Sequence, residues 1–151
     1  MSEAGYSGTP LVRKLGLKAG QRVLLHEAPP AWVEWVAPLP PGIDLVRRAG
    51  AQVDLVHAFF TRRAALADAL ARWRRTLPAE VVLWVSWPKK AARVDTDITE
   101  DVIRELALPL GWVDVKVCAV DATWSGLKLV VRRELRGGPE PLPSGGRGRP
   151  G

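Results

Sequence analysis

Two consecutive prolines, Pro29 and Pro30, follow closely on the apolar run Val23-Leu24-Leu25 and restrict what the chain can do there. A short uninterrupted apolar run suits a central strand covered on both faces. Each proline holds φ at about −65° and removes one amide donor, so those positions offer neither left-handed freedom nor a cradle of backbone N–H groups. Whatever the turn presents must come from the side chains of His26 and Glu27, which lie between the strand and the prolines.

The remaining punctuation predicts alternating strands and helices. Thr9 as cap and Pro10 as first helical residue open a short helix that Gly16 closes, and Arg22 to His26 is the first strand. A brief helix from Ala31 to Ala37 carries Trp32, Val33 and Val36, and Ile43 to Val46 is the second strand. Only residues 47–52 separate it from the apolar run Val53 to Phe60. A parallel crossover usually takes about a dozen residues. Two arrangements remain open: the usual intervening helix and strand are missing and the link runs extended across the sheet, or the second strand is an edge strand running the other way.

Thr61 is the expected N-cap of a helix reaching Thr76, with Leu66, Leu70, Trp73 and Leu77 on one stripe and arginines on the solvated remainder. Glu80 to Trp87 forms a buried strand. Asp97 and Glu100 resemble a capping box before a helix carrying Val102, Ile103, Leu106 and Leu110, which Gly111 ends. Val113 to Val120 and Leu127 to Arg133 form a hairpin through Asp121 to Gly126. The order predicts an α/β fold, a mainly parallel sheet with helices on both faces and a C-terminal antiparallel hairpin.

A chain of 151 residues suffices for one core, expected over residues 1–135. Residues 136–151 are rich in Gly, Pro and Arg, nearly without apolar side chains, and are expected to be disordered. They hold three arginines against one glutamate, so the 22 basic and 16 acidic residues of the whole chain leave 19 and 15 before them, an ordinary solubilising charge. Without a long apolar run or a charged-then-apolar leader, neither a membrane partner nor export is expected, and the location expected is cytoplasmic. The lone Cys118 cannot form an internal disulfide, which fits a reducing compartment.

The segment KLGLKAGQRVLL, residues 14–25, resembles the helix end, turn and first strand of class I S-adenosylmethionine-dependent methyltransferases, and the closing helix and hairpin resemble that superfamily's final elements. The resemblance implies a shortened Rossmann-like sheet. It also implies a glycine-rich cofactor loop after the first strand and a carboxylate after the second. This chain instead has His26, Glu27, Ala28, Pro29 and Pro30 at the first place and Arg47 and Arg48 at the second. No cofactor is therefore expected. The pieces GTPLVRKLG, WPKK, TDITED, VDVKVCAVD and WSGLK further resemble a family of small bacterial proteins known only as a domain of unknown function, from about Gly5 to Arg133. That second likeness implies a fold group and no reaction.

Ligands of open α/β sheets lie beyond the carboxyl ends of the strands, where this chain presents His26, Glu27, Thr61, Arg62, Trp87, Lys89 and Lys90. Arg62 can fork to a phosphate or carboxylate, the two lysines add charge, and the amides opening the Thr61 helix can assist. Adjacent His26 and Glu27 should face opposite ways on a strand and not act together. His57, within an apolar strand, is expected to be a satisfied core group, and no cluster has zinc spacing. Asp121 and Trp124 stand in the hairpin turn, where they can wall a pocket or, for Asp121, simply close the turn. Seven tryptophans are many for this length, and an exposed group of them would suit a protein partner or a homodimer. Basic residues are not interleaved with aromatics, so nucleic acid is not expected. The residues favour a non-catalytic binding module for an anionic small molecule or a protein; the alternative is a methyltransferase with an atypical cofactor loop.

Overall fold

The computed structural model describes residues 9–136, so the expected disordered tail from Gly137 onward and the segment before Thr9 lie outside it. Six strands form one sheet: β1 (Arg22–His26), β2 (Asp44–Val46), β3 (Leu55–Phe59), β4 (Val82–Pro88), β5 (Trp112–Ala119) and β6 (Trp124–Val131). Their spatial order is β2-β1-β3-β4-β6-β5. The pairs β1/β2, β1/β3 and β3/β4 are parallel, whereas β4/β6 and β5/β6 are antiparallel. The predicted α/β architecture with a C-terminal hairpin is the one observed.

Helices cover both faces because strand side chains alternate. On one face Leu24, Val56, Ala58, Leu83 and Val85 pack against Leu66, Leu70 and Trp73 of α3 (Arg63–Thr76) and Ile103 and Ala107 of α4 (Glu100–Ala107). On the other, Val23, Leu55, Phe59 and Trp84 meet Leu11 and Leu15 of α1 (Leu11–Leu15) and Trp32 of α2 (Trp32–Trp35). Trp84 Nε1 donates to the Leu15 carbonyl at 2.9 Å, which ties α1 to the sheet centre. Gly16 then ends α1 in the left-handed region at φ 80°, while Pro10 sits at the N-cap rather than at the first helical position.

The direction of β2 settles the question of the short link. It runs parallel to β1, pairing Arg22 with Asp44 and Leu24 with Val46. The link from Arg47 contains no helix, and Val46 and Ala49 pack on the α3 side of the sheet. It is anchored at its end by Asp54, whose N–H donates to the Arg22 carbonyl at 2.9 Å and whose carboxylate accepts from the Arg22 N–H at 2.8 Å.

His57 has the core role expected of it. Trp32 Nε1 donates to His57 Nδ1 at 3.0 Å, and His57 Nε2 lies 2.7 Å from Ser86 Oγ. An indole N–H only donates, so Nδ1 is the acceptor and Nε2 carries the hydrogen offered to Ser86. Complete burial pushes the His57 pKa down to about 3. Between about pH 6.5 and about pH 3 the unfolded chain binds a proton that the folded chain refuses, so stability falls as pH falls through this window, by about 1.4 kcal/mol per unit. In urea unfolding the wild type should lose about 2 kcal/mol more than His57→Gln between pH 6.5 and pH 5; equal losses would show that His57 titrates normally in the folded state.

Candidate active site

The carboxyl ends of β1 and β3 finish side by side, because their register pairs His26 with Ala58. Beyond them lies a hollow of about 400 Å³ lined by His26, Glu27, Phe59, Phe60, Thr61, Arg62, Ala65 and Trp124. His26 stacks on Phe60 with ring centroids 5.0 Å apart and meets the edge of Trp73 at 5.3 Å. Burial is the main influence lowering its pKa; Glu27 opposes the shift and Arg72 adds to it. Glu27 leaves the strand in the left-handed region at φ 56°. That turn brings His26 and Glu27 to the same hollow, against the expectation from strand alternation that they face apart.

Trp124, also in the lining, makes a T-shaped contact with Phe59, at 5.0 Å and 88°. Asp121 places it: its carboxylate accepts from the N–H groups of Thr123 at 2.9 Å and Trp124 at 2.8 Å. Asp121 is thus a turn residue that orients a wall and does not line the hollow itself. Phe59 and Phe60 were missed as site residues. Aromatic side chains at a strand end read as core, and both are indeed nearly buried while still lining the crevice.

The groups proposed for an anion are arranged otherwise than the sequence suggests. Arg62 is bound to Asp95 through Nη2 and Oδ2 at 2.7 Å, and the hydrogen bond between them raises the arginine pKa and lowers that of the aspartate. The first amide of α3, from Arg63, donates to Asp97 Oδ1 at 2.6 Å. Thr61 is not the N-cap, a position taken by Arg62 without a side-chain bond. The Thr61 carbonyl instead accepts from Thr96 Oγ1 at 2.7 Å and from the Asp97 N–H at 3.3 Å. Asp97 therefore caps α3 and forms no capping box with Glu100. Thr99 caps α4, accepting from the Val102 N–H at 3.2 Å, and Glu100 pairs with Arg104.

Trp87, Lys89 and Lys90 do not join the first hollow. They line a second one of about 550 Å³, with Val94, Thr96, Ile98, Thr99, Glu100 and Ser125. Trp32 and Trp87 are buried and Trp35 and Trp124 partly so, which leaves no exposed tryptophan group among these four. Among the described residues no group of three or more His, Cys, Asp and Glu side chains is placed to hold a metal ion. Cys118 is half-buried, and its thiol pKa is pushed up by burial against the pull of Lys14 and Lys116. Among the described residues no helix is long and apolar enough to cross a membrane.

No family model matches the chain, and no curated protein matches it. Solved structures do. A candidate type 11 methyltransferase from Sulfolobus solfataricus superposes with a TM-score of 0.58 at 10% identity over 81% of this chain and 89% of that one. The chain has a methyltransferase-like fold. Fibrillarin from Aeropyrum pernix, crystallised with natively bound S-adenosyl-L-methionine, gives 0.53 at 14% identity over 80% of this chain and 72% of its own. TrmN from Thermus thermophilus gives 0.53 at 14% identity, but this chain spans only 47% of its length. Identities this low establish a shared methyltransferase-like architecture and not a shared activity.

Asp97→Ala should unfold at lower urea concentration than the wild type, with a loss of about 1 kcal/mol for the missing cap. An unchanged midpoint would remove Asp97 from the start of α3.

Proposed function

We propose that the chain binds S-adenosylmethionine, or a closely related adenosyl ligand, in the hollow beyond β1 and β3 and acts as a methyltransferase with an atypical cofactor loop. This reverses the order of preference drawn from the residues alone, which put an anion-binding module first. The observation that carries the reading is the hollow itself: about 400 Å³ at the carboxyl edge of a methyltransferase-like sheet, with aromatic walls and one carboxylate. Its volume falls within the range of about 300–1,000 Å³ usual for small-molecule sites. Phe59, Phe60 and Trp124 suit a flat base, and Glu27 suits a cation. Arg62 and the Arg63 amide, already engaged by Asp95 and Asp97, count against an anion in this hollow.

The chain departs from the superfamily pattern in how such a ligand would be held. Pro29 and Pro30 supply no N–H groups, and the Pro29 carbonyl is taken by the Trp32 N–H at 2.9 Å. Side chains, rather than a glycine-lined backbone, must make most of the contacts. Arg47 and Arg48 follow β2 where a ribose-binding carboxylate is usual, so that carboxylate has no counterpart at the end of β2. The motif likeness to the small bacterial family belongs to the same proposal and adds no reaction to it.

A second reading keeps the anionic small molecule or protein partner but moves it to the hollow at Lys89 and Lys90. Neither lysine has an ion pair among the described residues, and both border a cavity of about 550 Å³.

Titration calorimetry separates the two. Micromolar S-adenosylmethionine binding is expected, and Trp124→Ala should weaken it about tenfold through loss of stacking, while Lys89→Ala with Lys90→Ala leaves it unchanged. No heat with millimolar ligand would sink the first reading.

A further inference from the structure

The turn after β1 carries an unusual choice of residue. Glu27 occupies φ 56°, a region that costs a side-chain-bearing residue about 1–2 kcal/mol and glycine almost nothing. Backbone held in such a conformation beside a ligand site points toward function. What glutamate supplies and glycine cannot is a carboxylate at the mouth of the hollow.

The surrounding charges leave that carboxylate free to act on a ligand. Arg62, the other charged residue lining the hollow, is paired with Asp95. Arg72, near His26, is paired with Asp68. Glu27 has no ion pair among the described residues.

We propose that Glu27 makes the crevice selective for positively charged ligands, so that S-adenosylmethionine, with its sulfonium, is bound in preference to the neutral thioether S-adenosylhomocysteine. The inference rests on the adenosyl-ligand reading above and adds to it a discriminating residue. Both ligands share the adenosine, the ammonium and the carboxylate, so their difference isolates the sulfonium and its methyl group. Glu27 is exposed, and the preference is modest, about threefold at low salt, shrinking as salt screens the pair.

Calorimetry with both ligands on the wild type, Glu27→Gln and Glu27→Gly tests it. The wild type should favour S-adenosylmethionine about threefold, and Glu27→Gln, which keeps shape and backbone but not charge, should bring the two affinities together with little change for S-adenosylhomocysteine. Glu27→Gly should do the same and unfold in urea no earlier than the wild type, since it removes the strained side chain. Equal wild-type affinities, or a preference that survives Glu27→Gln, would overturn the inference and leave the adenosyl reading intact. A wild type that binds neither ligand would overturn that reading and the inference with it. A Glu27→Gly protein less stable than the wild type would overturn the strain argument for Glu27.

Discussion

Burial of β3 on both faces is the constraint from which the rest of the molecule follows. All five of its residues are buried, and it lies between β1 and β4 in parallel register with both. Leu55 and Phe59 serve one layer of helices, Val56 and Ala58 the other. The one polar side chain in the strand, His57, is accommodated because Trp32 and Ser86 satisfy both ring nitrogens; unpaired, a buried imidazole would cost several kcal/mol, on the order of the range for unsatisfied polar groups. With β3 placed, the carboxyl ends of β1 and β3 coincide, and the crevice opens where Phe59, Phe60 and Thr61 leave the sheet.

A ligand at the carboxyl edge of such a sheet can be held by backbone or by side chains. A glycine loop brings bare backbone against the ligand and uses its N–H groups. Here prolines remove donors and rigidify the turn, and the side chains of His26, Glu27, Phe59, Phe60 and Trp124 form the walls. Glu27 adopts the left-handed conformation that glycine takes most readily. The loop from Asp95 to Asp97 straps the start of α3, so carboxylates of the chain itself engage the Arg62 guanidinium and the Arg63 amide.

Much of the fold was legible because it depends on local chemistry. The stripe Leu66, Leu70, Trp73 and Leu77 marked α3 and its buried face, and all four are buried. Gly16 and Gly111 marked helix ends and both lie in the left-handed region. Hairpin boundaries were less legible: β6 starts at Trp124, three residues before the expected Leu127, because Asp121 closes a tighter turn than Asp-to-Gly spacing suggests. The site was legible only in part. The strand-end rule found His26, Glu27, Thr61 and Arg62, and the hairpin turn supplied Trp124, yet Trp87, Lys89 and Lys90 belong to a separate hollow.

Patterns of apolar spacing, glycine and proline act over a few residues, and for that reason the chain alone determined the strands and helices, the antiparallel hairpin and the absence of a glycine cradle after β1. Partners far apart in the chain belong to the tertiary structure. Asp97 can cap α3 or begin a capping box with Glu100, and its distance to Arg63, across 34 positions, decided for the former. The direction of β2, the pairing of Arg62 with Asp95 and the meeting of His26 and Glu27 at one hollow were decided likewise. Each depends on which surfaces the packed core leaves facing one another, a relation that no local spacing encodes.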